Sequence, residues 1–402
     1  MERTILHCDC NGYFASVECI ARPELWDVPM AVCGDPKNRH GVILAKNELA
    51  KGYGIVTAET VWQALRKCPN LTLVRPHHEK YREYSRRINA VYQQYTDQVE
   101  AFSVDESWLD VTASLHLFGT GKEIADELRR RIRTEIGLTI SVGVSFCKTF
   151  AKLGSDYKKP DATTEITREN FRDILWPLPA RSMLYVGRAA EETLLKGGIR
   201  TIGDIAEAGK GRLRSLLGRT GETIWEYACG LDEEPVKRIG EEEATKSIGC
   251  GLTFSRDLVG LKDIRAGLTM LSDTIGTRLR RQGLCCTTVQ VQIKNPQLQV
   301  ICRQKRLEAG TNSTREILEA ALSIVQASWR MNAPIRMLTV TAAGLSTDGT
   351  AQLSLFDLGA EKRCHNEKLD SAMDAIRAKF GESAISYGNT LHQDIIYKQD
   401  DE

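Results

Sequence analysis

The sequence predicts an α+β multidomain protein. It has an N-terminal ferredoxin-like sheet, a helical region of helix–hairpin–helix turns, and a second α+β domain near the C-terminus. Three observations carry this. Runs with strand and helix periodicity follow one another as βα…ββαβ over residues 1–165. Residues 168–232 are helical in pattern and punctuated by glycine. The order βαββαβ then returns over residues 245–345.

Residues 4–9 form an apolar strand ending in Asp9, and Cys10-Asn11-Gly12 breaks it. A helix starts next, with Tyr13 and Phe14 immediately beyond Asp9. Residues 25–76 read as a small inserted module, so the first domain is split into 1–24 and 77–165. The module holds strands over 28–33 and 42–45, a helix over 47–53 and a helix over 60–67 stopped by Pro69. Tyr84, Ile88, Val91 and Tyr95 predict an amphipathic helix over 80–98. Phe102, Val104, Trp108 and Val111 predict two short strands, with Asp105-Glu106 at the bend between them. A helix over 122–136, a strand over 140–144 and a helix over 148–160 complete an antiparallel sheet with helices on one face.

Within 166–232, Val186-Gly187-Arg188-Ala189, Gly198 to Ile205 and Leu216 to Gly221 read as helix–hairpin–helix turns. Gly187 and Gly198 would let backbone N–H groups approach DNA phosphates closely. Plain helix capping accounts for the same glycines. Residues 233–244 are polar and carry Pro235, as a linker does. Beyond it come a strand from 246, a helix over 264–282, strands over 286–294 and 299–307, a helix over 313–329 and a strand over 336–345. The tail, 346–402, holds a short apolar peptide at 352–356 suited to docking in a partner's groove. It also holds a charged helix over 362–381 with Leu369, Met373, Ile376 and Phe380 on one face.

Composition is that of an ordinary globular chain, 42% apolar and 27% charged over 402 residues. No run of about 18 apolar residues exists, and the N-terminus enters a strand at once, so neither a membrane span nor a secretory signal is expected. Twelve cysteines lie without a C-x-x-C pair, several in apolar runs (Cys8, Cys33, Cys147, Cys302), which fits reduced thiols in a cytoplasmic protein. The net charge of +1 hides an asymmetry. Residues 245–345 hold 14 Lys and Arg against 6 Asp and Glu, a balance of +8, leaving −7 elsewhere. A basic module of this kind suits a polyanion such as nucleic acid; a solvated basic face is the plainer account. Lys246, Lys294, Arg303, Lys305 and Arg306 would meet phosphates if these strands lay against a duplex.

Adjacent carboxylates at a bend repel unless a positive charge sits between them. If the strand carrying Asp9 packs beside the Asp105-Glu106 hairpin, three carboxylates meet. Such a set can hold two Mg²⁺ ions roughly 4 Å apart, the arrangement for nucleotidyl transfer. One of the aromatics Tyr13 and Phe14 could line the sugar pocket of a nucleotide and exclude a 2′-hydroxyl by sterics; a core aromatic pair is the plainer account. Lys37, Arg39, Lys46 and Lys51 place positive charge where phosphates could sit, and Lys159 could reach a triphosphate, although surface lysines are commonly only solvated.

Leu6-His7-Cys8-Asp9-Cys10-Asn11-Gly12-Tyr13-Phe14-Ala15-Ser16-Val17-Glu18, Ser103-Val104-Asp105-Glu106-Ser107, Lys148 to Pro160 and Lys246-Ser247-Ile248-Gly249 together resemble the Y-family translesion DNA polymerases. The resemblance covers residues 1–345, is nearest the polymerase IV branch and shares some features with the UmuC branch. It implies a right hand of palm (1–24 and 77–165), fingers (25–76), thumb (166–232) and little finger (245–345). It implies error-prone addition of deoxynucleotides to primer-template DNA by a monomer, past damaged bases and without proofreading. By position, Asp9, Asp105 and Glu106 resemble the catalytic metal ligands, with the Cys10 carbonyl completing a site for two Mg²⁺, or Mn²⁺. Phe14 falls at the steric gate, Tyr13, Lys51 and Lys159 near the triphosphate. Gln352-Leu353-Ser354-Leu355-Phe356 resembles the family's sliding-clamp peptide.

The chain departs from that pattern. Asn11 stands where polymerase IV usually has Asp, and Ala45, Glu48 and Lys51 stand where it usually has Thr, Tyr and Arg. Lys51 offers a point charge and not a bidentate fork. A catalytically silent DNA- and clamp-binding factor on the same scaffold is the alternative from another class. A deoxycytidyl transferase is a narrower one. A nucleotide cyclase would not need the helix–hairpin–helix turns.

Overall fold

The computed structural model describes residues 2–34, 41–241, 244–347, 360–391 and 394–395. The chain divides into two compact units, Met1–Glu242 and Glu243–Glu402. The first begins with β1 (Ile5–Cys10) and α1 (Tyr13–Ala21). The inserted module follows, with β2 (Met30–Cys33), β3 (Ile43–Lys46), α2 (Glu48–Gly52), α3 (Val61–Lys67) and β4 (Thr72–Val74). Then come α4 (His78–Tyr92), β5 (Val99–Ala101), β6 (Glu106–Asp110), α5 (Leu115–Phe118), α6 (Gly121–Arg131), β7 (Ile140–Ser145), α7 (Lys148–Tyr157) and β8 (Thr163–Ile166).

β1 is buried throughout and central in a sheet of order β5-β6-β1-β7-β8. Side chains on a strand alternate between faces. Leu6, Cys8 and Cys10 join Val142, Val144, Leu109 and the apolar stripes of α4 and α6 in one core. Ile5, His7 and Asp9 face the other way, opposite Ser145, Gly143 and Ser141 of β7. α7 lies on that second face. Helices therefore cover both faces, where the sequence reading put them on one. The small residues Ser141, Gly143 and Ser145 make a flat surface there. A Cβ on Gly143 would stand 1.9 Å from the Ala151 carbonyl oxygen and 2.5 Å from the Ser155 nitrogen, so only glycine lets α7 come this close.

Other expectations need correction. β8 runs parallel to β7, so the sheet is mixed. β4 pairs in parallel with β2 to make a three-stranded sheet of order β3-β2-β4. Neither short strand is evident from periodicity. α4 ends at Tyr92 and does not reach 98, because the chain there straightens into β5: the Thr96 hydroxyl donates to the Asp110 carbonyl at 2.7 Å, and the Asp110 N–H donates to Gln98 at 3.1 Å. Cys147 is the N-cap residue of α7 and no strand residue, and Cys302 is exposed.

α8 (Phe171–Leu175), α9 (Arg188–Lys196), α10 (Ile202–Ala208), α11 (Lys210–Leu217) and α12 (Arg219–Ala228) share an apolar core to which Phe150 and Leu153 of α7 and Ile166 of β8 also belong. Buried Asp232 accepts the Thr149 N–H at 3.0 Å and the Thr149 hydroxyl at 2.8 Å. It thereby satisfies the first turn of α7, which has no side-chain cap of its own.

The second unit contains β9 (Ser247–Leu258), α13 (Gly260–Arg281), β10 (Cys285–Lys294), β11 (Val300–Thr311), α14 (Thr314–Ser328), β12 (Ile335–Ser346) and α15 (Ala360–Phe380). Its four-stranded sheet has the order β11-β10-β12-β9, with α13 and α14 on one face. α15 overturns the apolar stripe read from the sequence. Leu369 and Phe380 are exposed, 47% and 66%, and the buried face is Asn366, Asp370, Met373 and Arg377. Charge pairing docks this helix: Arg280 reaches Asp374 at 2.6 Å and Asp370 at 3.4 Å, and Arg377 reaches Asp273 at 2.8 Å. Among the described residues no helix is long and apolar enough to cross a membrane.

Candidate active site

β1 and β6 pair antiparallel with Asp9 opposite Glu106. The Cys10 N–H donates to the Asp105 carbonyl at 3.1 Å, so the loop before β6 is tied to the end of β1. The turn spans 102–105, with Asp105 at its end and Glu106 already on the strand. The Ser103 hydroxyl donates to Asp105 Oδ1 at 2.6 Å. The sheet thus sets Asp9 beside Glu106 and ties the Asp105 backbone to the end of the same strand.

Two ammonium groups stand against them. Lys159 Nζ lies 2.6 Å from Asp9 Oδ2 and 2.7 Å from Asp156. Lys152 Nζ lies 2.9 Å from Glu106 Oε2. Burial pushes the Asp9 carboxyl up to about 7, Lys159 pulls it down, and Glu106 pushes it up again. Burial works to lower the Lys159 pKa, but Asp9 and Asp156 outweigh it and raise it. Among the described residues no three His, Cys, Asp or Glu side chains converge tightly enough to hold an ion as they stand. The donor set nonetheless fits a hard divalent cation, being all oxygen.

Beside the carboxylates lies a cavity of about 290 Å³, lined by Cys10, Phe14, Ala45, Lys46, Thr57 and Asp105 among others. Phe14 forms a rigid wall, stacked on Tyr81 with centroids 4.1 Å apart. Tyr81 is pinned in turn by its hydroxyl, which donates to buried Glu18 at 2.6 Å. Tyr13 lines the same cavity although it is largely buried, and its hydroxyl is taken up, donating to the Tyr81 carbonyl at 2.6 Å. Gly12 adopts φ +56° as the chain turns from β1 into α1, a conformation suited to glycine. Asn11 donates to Ser141 Oγ at 2.9 Å and accepts the Asp161 N–H at 2.9 Å, which fixes the loop that follows Lys159.

Lys46 lines the cavity, 3.2 Å from Thr57 Oγ1, and burial followed by Lys51 lowers its pKa. Lys51 lies elsewhere, exposed and 3.3 Å from Glu48. Lys37 and Arg39 lie outside the described residues, as does the peptide Gln352 to Phe356. Gly187 is the N-cap of α9, and Gly198 takes φ +77° in the turn before α10.

In the second unit, register divides the basic residues. Arg306 pairs with Thr288, on the sheet face without helices, and Lys294 shares that face. Arg303 and Lys305 pair with buried Val291 and Val289, so they lie on the helix-bearing face at the sheet edge. Lys305 reaches Ser323 of α14 at 3.2 Å. Lys246 immediately precedes β9. The open face also carries Gly249, Gly251, Thr339, Thr341, Gln290 and Gln292, with Val300, Cys302 and Met337 among them.

Sequence reasoning missed Lys152, and it missed His7. His7 is fully buried beside the carboxylates and shares their face of β1 by the two-residue strand period. That spacing from Asp9 was a usable signal.

The impB/mucB/samB family matches residues 8–156, and its C-terminal domain matches residues 245–355. DNA polymerase IV of Acetivibrio thermocellus is 45% identical over 392 residues, 97% of this chain and 98% of its own. The chain belongs to the impB/mucB/samB family of Y-family DNA polymerases. DNA polymerase IV 2 of Bacillus subtilis is 36% identical over 391 residues, covering 96% of this chain and 93% of its own. Among solved structures, a chimera of the Y-family DNA polymerases Dbh and Dpo4 superposes with a TM-score of 0.75 over 85% of this chain and 98% of its own. At 22% identity, that similarity speaks for the shared Y-family fold.

Proposed function

We propose that this chain is an error-prone, template-directed DNA polymerase that adds deoxynucleotides to a primer by two-metal nucleotidyl transfer, passes damaged template bases and lacks proofreading. Its standing as a DNA-directed DNA polymerase of the translesion type rests on its family. The chemistry rests on one observation: Asp9 opposite Glu106, with the Asp105 backbone tied beside them, at the edge of a cavity of about 290 Å³. Residues 1–24 with 77–165, 25–76, 166–232 and 245–345 take the palm, fingers, thumb and little-finger roles, and Gln352 to Phe356 is the proposed sliding-clamp peptide.

The Asp9, Asp105 and Glu106 carboxylates and the Cys10 carbonyl would hold Mg²⁺, which lowers the pKa of the primer 3′-hydroxyl and neutralises charge on the leaving pyrophosphate. The rest is positioning by the chain. Phe14, pinned on Tyr81, closes the sugar side of the cavity. Lys46 meets phosphate oxygens from the opposite wall. Lys159 is the charge for which a triphosphate competes with Asp9. Ala45 leaves room over the base, so bulky or damaged pairs fit and geometry is checked weakly. Gly187 and Gly198 expose backbone N–H groups to the DNA backbone.

Primer extension with Mg²⁺ tests this, beside an Asp105→Ala, Glu106→Ala double variant. Templated addition by the wild type alone supports the reading. Failure of both with DNA binding intact would put the silent DNA-binding factor in its place.

A further inference from the structure

Lys46 borders two cavities. One is the cavity of about 290 Å³ beside the carboxylates; the other, of about 270 Å³, is lined by Trp26, Leu49, Leu138 and Glu48 among others. A lysine stem is flexible, so its ammonium can turn to either side. Glu48 attracts it toward the second cavity. Its hydrogen bond points the other way, to Thr57 Oγ1 at 3.2 Å, and Thr57 lines the first cavity. The turn that carries Thr57 is braced from beneath. Lys67 of α3 donates to the Gly54 carbonyl at 2.7 Å and lies 2.6 Å from Glu59 Oε2. Glu59 Oε1 accepts the Val56 N–H at 2.9 Å. The Ala58 N–H donates to the Ile43 carbonyl at 2.8 Å, and the Ile43 N–H donates to the Glu59 carbonyl at 2.9 Å. These bonds hold Ala58 at φ +69°, a left-handed conformation uncommon for a residue with a Cβ. Ile43 and Lys46 are the two ends of β3, so the hydroxyl and the ammonium it holds are both fixed to one strand.

We propose that Thr57 is a positioning residue for Lys46: its hydroxyl oxygen keeps the Lys46 ammonium on the nucleotide side of the strand, where the triphosphate of the incoming nucleotide meets it. This rests on the phosphate-binding role assigned to Lys46. Ordering a long, flexible side chain costs conformational entropy. A lysine already held over the cavity has met that cost before the nucleotide arrives, so the nucleotide binds more tightly. A hydrogen bond from an ammonium to a neutral hydroxyl is charge-assisted, yet weak enough for a phosphate oxygen to share the remaining N–H groups. Thr57 acts through Lys46 and touches no reacting atom.

The test uses the full chain with primer-template DNA. It compares wild type with Thr57→Val, which keeps the shape without the hydroxyl, Thr57→Ser, which keeps the hydroxyl, Lys46→Ala, and Lys46→Ala combined with Thr57→Val. Two readouts are taken. One is nucleotide KM and kcat in single-nucleotide extension. The other is the Kd of inorganic tripolyphosphate with Mg²⁺ by calorimetry, which needs no turnover. Thr57→Val is expected to raise KM and the tripolyphosphate Kd about threefold, on the scale of a single exposed hydrogen bond, with kcat within about twofold. Thr57→Ser should stay within about 1.5-fold of wild type. In the Lys46→Ala background the valine change should add less than about 1.5-fold, because the ammonium it acts through is gone. Unchanged constants in Thr57→Val, or the full effect persisting without Lys46, overturn the proposal. A Lys46→Ala protein that binds tripolyphosphate as the wild type does would overturn it together with the phosphate role of Lys46. Absence of extension by the wild type would instead strike the polymerase reading, while tripolyphosphate binding still decides the role of Thr57.

Discussion

Replacing Gly143 with alanine tests how the active site depends on the sheet beneath it. The added Cβ would stand 1.9 Å from the Ala151 carbonyl oxygen, 2.5 Å from the Ser155 nitrogen and 2.9 Å from the Ala151 carbonyl carbon. All three are backbone atoms in the middle of α7, so no side chain can swing away. Relief to an ordinary contact of about 3.4 Å requires α7 to lift, or β7 to sink, by about 1.5 Å. Overpacking of this kind costs about 3 kcal/mol, the upper part of its usual range, because the obstruction is a whole helix. For a unit of this size that lowers Tm by roughly 6–12 °C. Activity should fall further than stability. α7 carries Lys152, which holds Glu106, and Ser155, which holds His7. A misplacement near 1 Å costs on the order of 10²-fold in rate. Urea unfolding followed through its midpoint, with the slope unchanged, gives the first number. Single-nucleotide incorporation at a temperature where the variant is folded gives the second. Gly211→Ala is the control: it lies inside α11 with nothing within 4 Å of its would-be Cβ, and it should gain up to about 1 kcal/mol from helix propensity. Gly143→Ala within 0.5 kcal/mol of wild type and within about twofold in rate would refute the tight docking of α7.

Phe14→Ala removes the wall stacked on Tyr81 and is expected to raise ribonucleotide incorporation relative to deoxynucleotide by at least about tenfold, measured as a ratio of kcat/KM values. Lys46→Ala should raise nucleotide KM about tenfold, whereas Lys51→Ala, already paired with Glu48 outside the cavity, should change it less than about threefold, consistent with the small worth of an exposed pair. Arg280→Leu strands buried Asp370 and half-buried Asp374, which should cost the second unit about 3 kcal/mol, read as faster proteolysis of α15. Burial raises the Asp374 carboxyl pKa, but its bonds with Arg280 override this and hold it below the ordinary 3.8. A carboxylate depressed in the folded state stabilises above its unfolded pKa and is lost as pH falls through the folded one. The Tm of the second unit should therefore drop as pH falls below about 4, and Asp374→Asn should flatten that drop.

The first domain was legible because its chemistry sits on strong patterns. An apolar strand running into Asp9 and a hairpin ending in Asp105-Glu106 have few other ways to pack. β4 and β8 were not legible, because three or four residues such as Thr72–Val74 carry too little period to count. α15 was misread because a charged stripe is ordinarily the solvated one. Here Asp370, Asp374 and Arg377 meet opposite charges on α13, which only the tertiary structure reveals. Arg303 and Arg306, three residues apart on β11, take opposite sides of the sheet; which side each takes follows from the pairing of Arg303 with buried Val291 and of Arg306 with Thr288, and composition is blind to that. His7 was missed because a lone histidine in an apolar strand reads as core; its distance from Glu106 depends on the pairing of β1 with β6.

β11 closes one side of the second unit's sheet, and among the described residues no strand lies beyond it. Such an open edge invites pairing with a second copy, and lysine and arginine along it discourage that association by repulsion. Arg303 and Lys305 therefore carry a duty of solubility whether or not they ever touch a phosphate. Neutralising them with alanine or leucine to weaken DNA binding would also strip the guard from the edge. A protein so altered could lose activity by clumping, and glutamine or glutamate at these positions would separate the two causes.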